Sequence, residues 1–354
     1  LLEVFNLPDL HVSSECAEYF KSVSEVLLGE VNELMFRKNQ LYNLIGSNPR
    51  IIMENNHRNH ITFMSALFAT NDYTMLEKTI PWVLNTYLSK GFSISYFSHV
   101  LKTWKDVIKQ HLPPDFQNEI LPVYDYMLEA IENSHIVRES IEISTDRTIL
   151  NLAEMLVRGD YMEASRYLRS FISDSESLFD AYVNIIQPTM YTIGGMWEKD
   201  EISVAHEHLA TSIIMRIMSS FYDQYVLRTP DKYKILIAAA VNEFHEIGAR
   251  IVSDYLEING YDVRFLGSNM PSDDLVRILL KEKPRVLGLS VSMSYNIGKL
   301  IETVKSIRSN SELSDIHIMA GGYAFSYADT KSLTELNVIV PENMDNMIDI
   351  CSNW

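Results

Sequence analysis

Two hydrophobic periods divide this chain. Through residue 135 apolar side chains recur at three- and four-residue spacing, as in Met64, Leu67 and Phe68, in Trp82, Leu84 and Leu88, and in Phe97, Val100, Leu101 and Trp104. Such spacing lines one face of an α-helix. It predicts helices over 14–45, 57–68, 73–90, 95–111 and 114–133, parted by the breakers Asn48-Pro49, Asn71-Asp72, Gly91 and Pro113-Pro114. A polar stretch with Ser134, Glu139, Ser140, Ser144, Thr145 and Asp146 has no sustained pattern and marks a boundary. Helical spacing resumes over 147–157, 160–172, 176–197 and 202–226, lengths that suit a four-helix bundle. Past Arg228-Thr229-Pro230-Asp231 the pattern changes. Short apolar runs at 233–241, 262–266, 285–291 and 316–320 alternate with helical patterns near 247–259, 271–282, 295–309 and 325–334, and 338–340 adds a last strand. Strand–helix alternation at this spacing predicts a doubly wound parallel sheet. The expected organisation is an all-α module over 1–135, a helical bundle over 147–228 and an α/β domain over 232–354.

Composition narrows the function. A formal charge of −17 would repel a phosphate backbone, and no helix-turn-helix stands out, so direct nucleic-acid binding is not expected. Cys16 and Cys351 sit near opposite ends with neither zinc spacing nor a disulfide framework, which fits a reducing cytoplasm. The apolar runs are too short to span a bilayer, and no basic segment followed by an apolar one opens the chain. A cytoplasmic protein away from membranes is the expectation.

The stretch Glu243-Phe244-His245-Glu246-Ile247-Gly248 holds the most pointed chemistry. It joins the first predicted strand to an amphipathic helix through Arg250, Ile251, Tyr255 and Leu256. Open α/β sheets bind ligands in the crevice at the carboxyl ends of their strands. A histidine there, with Glu243 accepting its other ring N–H, has the arrangement of an oriented metal ligand. On pattern alone, a histidine in such a loop is more often a surface or capping residue. His57 and His60, three apart on one helical face, can be drawn as a metal or haem pair; beside Asn55, Asn56, Arg58 and Asn59, solvated or structural histidines on a polar face are the better reading.

Three features combine in chain order: Glu243, His245 and Gly248 after the first strand, Gly288-Leu289-Ser290-Val291-Ser292-Met293-Ser294 after the third, and Gly321-Gly322 after the fourth. Together they resemble the cobalamin-binding domain of methionine synthase, of corrinoid methyl carriers and of light-sensing cobalamin repressors. That resemblance implies a Rossmann-like fold in which His245 is the lower axial ligand of cobalt and Glu243 stands for the more usual supporting aspartate. It further implies that Ser290 and Ser294 bond the buried nucleotide tail, that Gly321 and Gly322 let backbone approach the nucleotide, and that Gly248 lets the helix start pack close to the cofactor.

In this family a helical cap precedes the sheet domain, and residues 147–226 stand in that place. Within them Trp197 is followed after nine residues by Glu207-His208. The spacing resembles the cap of light-sensing adenosylcobalamin repressors, where these residues surround the adenosyl group. The implied cofactor is adenosylcobalamin, with methylcobalamin or hydroxocobalamin as alternatives, and the implied function is an adenosylcobalamin-dependent photoreceptor acting through a homo-oligomer or a signalling partner. Two departures matter: Glu198 replaces the histidine that follows the tryptophan, which excludes a bis-histidine light state through that position, and the N-terminal module is acidic and helical instead of DNA-binding, which counts against direct operator binding. His206 or His208 is then the alternative source of an upper ligand. A corrinoid methyl carrier or a light-independent cobalamin sensor is the alternative function. No barrel of eight strand–helix units is present for a substrate, so the chain is not expected to be an enzyme.

Overall fold

The computed structural model describes residues 10–37, 41–133, 143–326 and 330–354. Contacts divide them into two compact units, one within residues 1–140 and the other made of 141–326 and 330–354. No described helix is long and apolar enough to cross a membrane.

The first unit is helical: α1 (Ser14–Phe36), α2 (Leu41–Ile45), α3 (Arg50–Thr70), α4 (Thr74–Ser89), α5 (Ile94–His111) and α6 (Pro114–Asn133). The single helix expected over 14–45 is two, with residues 38–40 outside the described ones. Helix α1 starts where Ser13 Oγ accepts the Cys16 N–H at 3.3 Å, satisfying a donor that has no partner in the first turn. Phe20, Leu27 and Met35 of α1, Met64 and Leu67 of α3, and Trp104 and Ile108 of α5 are buried in its interior. His57 and His60 are turned inward too, which corrects the polar-face reading. His57 is fully buried with Nδ1 2.6 Å from Asn32 Oδ1, and His60 Nε2 lies 3.1 Å from the Tyr124 hydroxyl. Trp104 packs against both rings. Different partners engage the two histidines, and among the described residues no group of three His, Cys, Asp or Glu side chains is placed to hold a metal ion.

The second unit begins with a bundle: α7 (Arg147–Arg158), α8 (Tyr161–Arg169), α9 (Ser175–Ala181), α10 (Gln187–Glu198) and α11 (Val204–Phe221). A π-helical turn, Tyr182–Ile186, joins α9 to α10 in one continuous rod, and a second, Tyr222–Val226, extends α11. Pro188 accounts for the first. It has no N–H for the carbonyl four residues back, so the helix shifts its pairing by one residue just ahead of it. Gly159 closes α7 at φ +86°, a left-handed cap that suits glycine. Leu152, Leu156, Leu168, Tyr182, Ile193, Ile214, Met218 and Phe221 fill the bundle core.

The sheet follows, with β1 (Lys234–Ala239), β2 (Asp262–Phe265), β3 (Val286–Ser290), β4 (His317–Gly321) and β5 (Val338–Ile339), all parallel in the order β2-β1-β3-β4-β5. Its helices are α12 (Ile247–Ile258), α13 (Ser272–Glu282), α14 (Ile297–Arg308), α15 (Lys331–Thr334) and α16 (Met344–Ser352). The segment expected as one helix over 325–334 is a 3-10 turn, Tyr323–Ser326, and the short α15, with 327–329 outside the described residues; α16 was not expected. Strand β1 lies between β2 and β3, so the chain winds to opposite sides from it. That reversal opens a crevice at the carboxyl ends of β1 and β3.

Candidate functional site

The crevice is built from three loops that leave β1, β3 and β4. The first turns sharply, with Asn242 at φ +63° and the Glu243 N–H bonded to Ala240 O at 3.0 Å. This turn drives the Glu243 side chain inward, where it is wholly buried. Its Oε2 accepts the N–H groups of Ser292 at 2.9 Å and Met293 at 3.0 Å and the Asn296 amide at 3.1 Å. Its Oε1 accepts the His245 backbone N–H at 3.1 Å and pairs with His245 Nδ1 at 2.5 Å. The longer side chain of glutamate therefore reaches the imidazole.

Burial alone would push the Glu243 carboxyl up; the hydrogen bond and charge of His245, with the Met293 and His245 N–H groups, bring it down to about 2. The same hydrogen bond, against burial, raises His245, and the charges of Glu243 and Glu207 add to the rise. The His245 ring stays 58 % exposed, and among the described residues nothing bonds its Nε2. One nitrogen pinned by an anchored carboxylate and the other turned outward is a donor set that would suit one bond to a transition metal.

Ser290, at the end of β3, lies opposite Gly321 at the end of β4, and Val291 N–H continues the ladder to Gly321 O at 2.8 Å. Ser294 is buried and opens the 3-10 turn Ser294–Asn296. These residues share one sheet edge with Glu243 and His245. Gly322 has φ +117°, and a Cβ there would stand 2.3 Å from Val291 O, so the crossing of two loop backbones admits only glycine. Gly321 and Gly248 differ: a Cβ at either meets nothing within 4 Å.

From the bundle, Trp197 is partly buried near the end of α10, and Glu207 lies in the first turn of α11, accepting the Thr211 hydroxyl at 2.9 Å. His208 Nε2 lies 3.5 Å from Glu207 Oε2 with its ring 75 % exposed. His206 is engaged at the helix start, with Nδ1 2.8 Å from the Ser203 hydroxyl. The charge of Glu207 adds to the rise of His245. Tyr191 of α10 also packs on Tyr323, just past Gly322, with ring centres 5.2 Å apart. Sequence reasoning missed Asn296 and the two N–H donors of 292–293; a residue about fifty positions from its partner leaves no local signal.

Residues 233–343 match the family model for the B12 binding domain, and residues 149–221 match a second B12 binding domain model. The chain is similar to the HTH-type transcriptional repressor CarH of Myxococcus xanthus, 28 % identical over 129 residues, which are 36 % of this chain and 42 % of that protein. It is also similar to the methanol–corrinoid protein of Methanosarcina barkeri, 20 % identical over 48 % of this chain and 65 % of the relative. Dimethylamine corrinoid protein 3 of Methanosarcina acetivorans is 19 % identical over 38 % of this chain and 63 % of the relative. The chain thus spans less than two thirds of each of these three. Among solved structures, the monomethylamine corrinoid protein of Methanosarcina barkeri aligns with a TM-score of 0.49 at 16 % identity, covering 58 % of this chain and 97 % of that one. Over residues 149–221 and 233–343, this chain belongs to the B12-binding proteins, with a helical domain ahead of a Rossmann-like one, and its cofactor is a cobalamin.

Proposed function

We propose that this chain is a cobalamin-binding signalling protein, and that it serves as a photoreceptor loaded with adenosylcobalamin. The observation that carries the cofactor reading is the pair formed by buried Glu243 and outward-facing His245 at the switch point of the sheet. In this reading His245 offers Nε2 to cobalt, and Glu243 holds the ring in one tautomer and one orientation. Asn296 and the N–H groups of Ser292 and Met293 keep Glu243 anionic and aimed. Ser290 and Ser294 supply small donors for the nucleotide tail, and Gly321 leaves room for it, whereas Gly322 serves the crossing of the two loop backbones.

Bound adenosylcobalamin supplies a photolabile cobalt–carbon bond. Around that side of the site the bundle contributes Trp197 to pack on the adenosyl group, and Glu207 and His208 to bond its polar edge. Emptying this part of the site removes contacts that hold the bundle, and the altered bundle is read by a second copy or a signalling partner. The Trp197, Glu207 and His208 spacing favours this branch.

A corrinoid methyl carrier is the second reading, favoured by similarity to a methanol–corrinoid protein over 48 % of the chain. In both readings the chain holds and presents the cofactor and catalyses no reaction alone. The deciding experiment reconstitutes the full chain in the dark with adenosylcobalamin and records the visible spectrum and the elution volume before and after green light. A histidine-bound spectrum that changes together with a shift in assembly supports the photoreceptor. Photolysis without any change in size or shape moves the function to the methyl carrier, and no binding overturns both.

A further inference from the structure

Helix α12, which follows the His245 loop, belongs to two cores. Its Ala249 and Leu256 pack in the core of the sheet, whereas Ile251 is buried in the core of the bundle, where Ile247 and Ile258 also pack. Arg250, Asp254 and Glu257 follow one another at helical spacing and form a row along one side. Asp254 is 1 % exposed, and its oxygens are taken by Arg250 Nε at 2.8 Å and by the Tyr182 hydroxyl at 3.0 Å. One turn on, Glu257 accepts the Tyr222 hydroxyl at 2.5 Å, and the Arg250 guanidinium lies 5.4 Å from the Tyr222 ring centre. Phe179 stacks on Tyr255 with ring centres 3.8 Å apart.

Each of the two tyrosines is the first residue of a π-helical turn. Such turns are rare, hold a helix in a less regular pairing and concentrate where proteins work. A buried carboxylate, guanidinium and phenol tolerate one another only when every partner is in place, so this contact has one good arrangement and few near alternatives. At its other end α12 starts two residues after His245.

We propose that the Tyr182–Asp254–Arg250 and Tyr222–Glu257 contacts form a latch that couples the bundle to the loop carrying Glu243 and His245, with α12 as the transmitting rod and the two π-helical turns as the places where the bundle yields. A helix of this length moves as a unit, so a displacement at Asp254 appears at the histidine loop two turns away. The consequence for the cofactor rests on reading His245 as the cobalt ligand; the coupling itself does not.

The test is amide hydrogen exchange on the full chain without cofactor, comparing the native protein with Tyr182→Phe/Tyr222→Phe. The two changes remove the hydroxyls and keep the rings. Exchange is expected to quicken about tenfold in 182–186 and 222–226 and, with them, in 243–248 and the first turn of α12. Acceleration confined to the bundle overturns the latch. Should the double variant not fold, Tyr222→Phe alone, at the less buried contact, gives the same comparison. Loading with hydroxocobalamin then separates the two proposals. Binding through histidine that protects 182–186 in the native protein, and not in the variant, supports the latch; equal protection in both overturns it. A native protein that takes no cofactor overturns the proposed function, and the cofactor-free exchange still decides the coupling.

Discussion

Glu243 is wholly buried while His245, two residues on, keeps its ring 58 % exposed, and a hydrogen bond of 2.5 Å joins them. The exposed ring therefore takes its orientation from a carboxylate fixed inside the sheet edge. Burying that carboxylate is offset by donors from the loop after β3, so the histidine is held across two loops that are about fifty residues apart in sequence.

Glu243→Gln keeps the shape of the side chain and removes its charge. Its amide group must then face at least one N–H donor, which leaves a buried polar group unpaired. Stability should fall by about 1–3 kcal/mol, and cobalamin affinity by about 10–100-fold. Urea unfolding and spectroscopic titration with hydroxocobalamin measure the two effects, and unchanged affinity would remove Glu243 from the site.

Gly322→Ala and Gly321→Ala should separate fold from binding. At Gly322 a Cβ meets Val291 O at 2.3 Å on a backbone of φ +117°, so we expect a loss of roughly 1–3 kcal/mol in unfolding free energy. At Gly321 a Cβ meets nothing, and stability should stay within about 0.5 kcal/mol. If backbone at Gly321 approaches the nucleotide tail, Gly321→Ala weakens cobalamin binding while leaving unfolding as it was. Normal binding by that variant would place the tail elsewhere.

Trp197→Ala should loosen adenosylcobalamin relative to hydroxocobalamin, because only the former carries the group on which the indole is proposed to pack. Dark gel filtration followed by the visible spectrum of the protein fraction reads retention of each. Equal retention of both forms sinks the role given to this tryptophan.

The first unit should lose stability in mild acid. Burial pushes His57 down to about 3, with the charge of His60 adding to the shift, and burial also lowers His60 to about 3. Both stay neutral in the folded helices while the unfolded chain protonates near 6.5, so the unfolded state binds more protons between these values. Stability is complete above about pH 6.5 and falls as the pH drops toward 3, by up to roughly 1.4 kcal/mol per pH unit for each histidine. Urea unfolding followed by tryptophan fluorescence at pH 7, 5.5 and 4 checks this, and His57→Gln should flatten the dependence; a slope unaltered by that change would assign it to other groups.

Periodicity and spacing made much of this protein legible. The switch from helical spacing to short apolar runs past Arg228 is a local property of each segment, and so is the order strand, loop, helix around His245. The motif residues of the sheet domain lie at strand ends, where chain order alone assigns them to one edge. The two histidines of α3 misled because Asn55, Asn56, Arg58 and Asn59 surround them in sequence, yet the helix turns His57 and His60 onto its inner face. The π-helical turns at Tyr182 and Tyr222 left no mark, since one extra residue barely disturbs an apolar period.

By itself the sequence determined most of the helices, the strands, the doubly wound class of the sheet and the residue types at its carboxyl edge, because backbone preference and side-chain period act over a few neighbours. Tertiary structure decided the rest. The anchoring of Glu243 by Asn296, the burial of His57, and the meeting of Tyr182 with Asp254 and of Tyr222 with Glu257 depend on which faces are pressed together. Those pairings are selected by desolvation and hydrogen bonding between distant segments, and a polar residue carries no sign in its own neighbourhood of the partner it will be buried against.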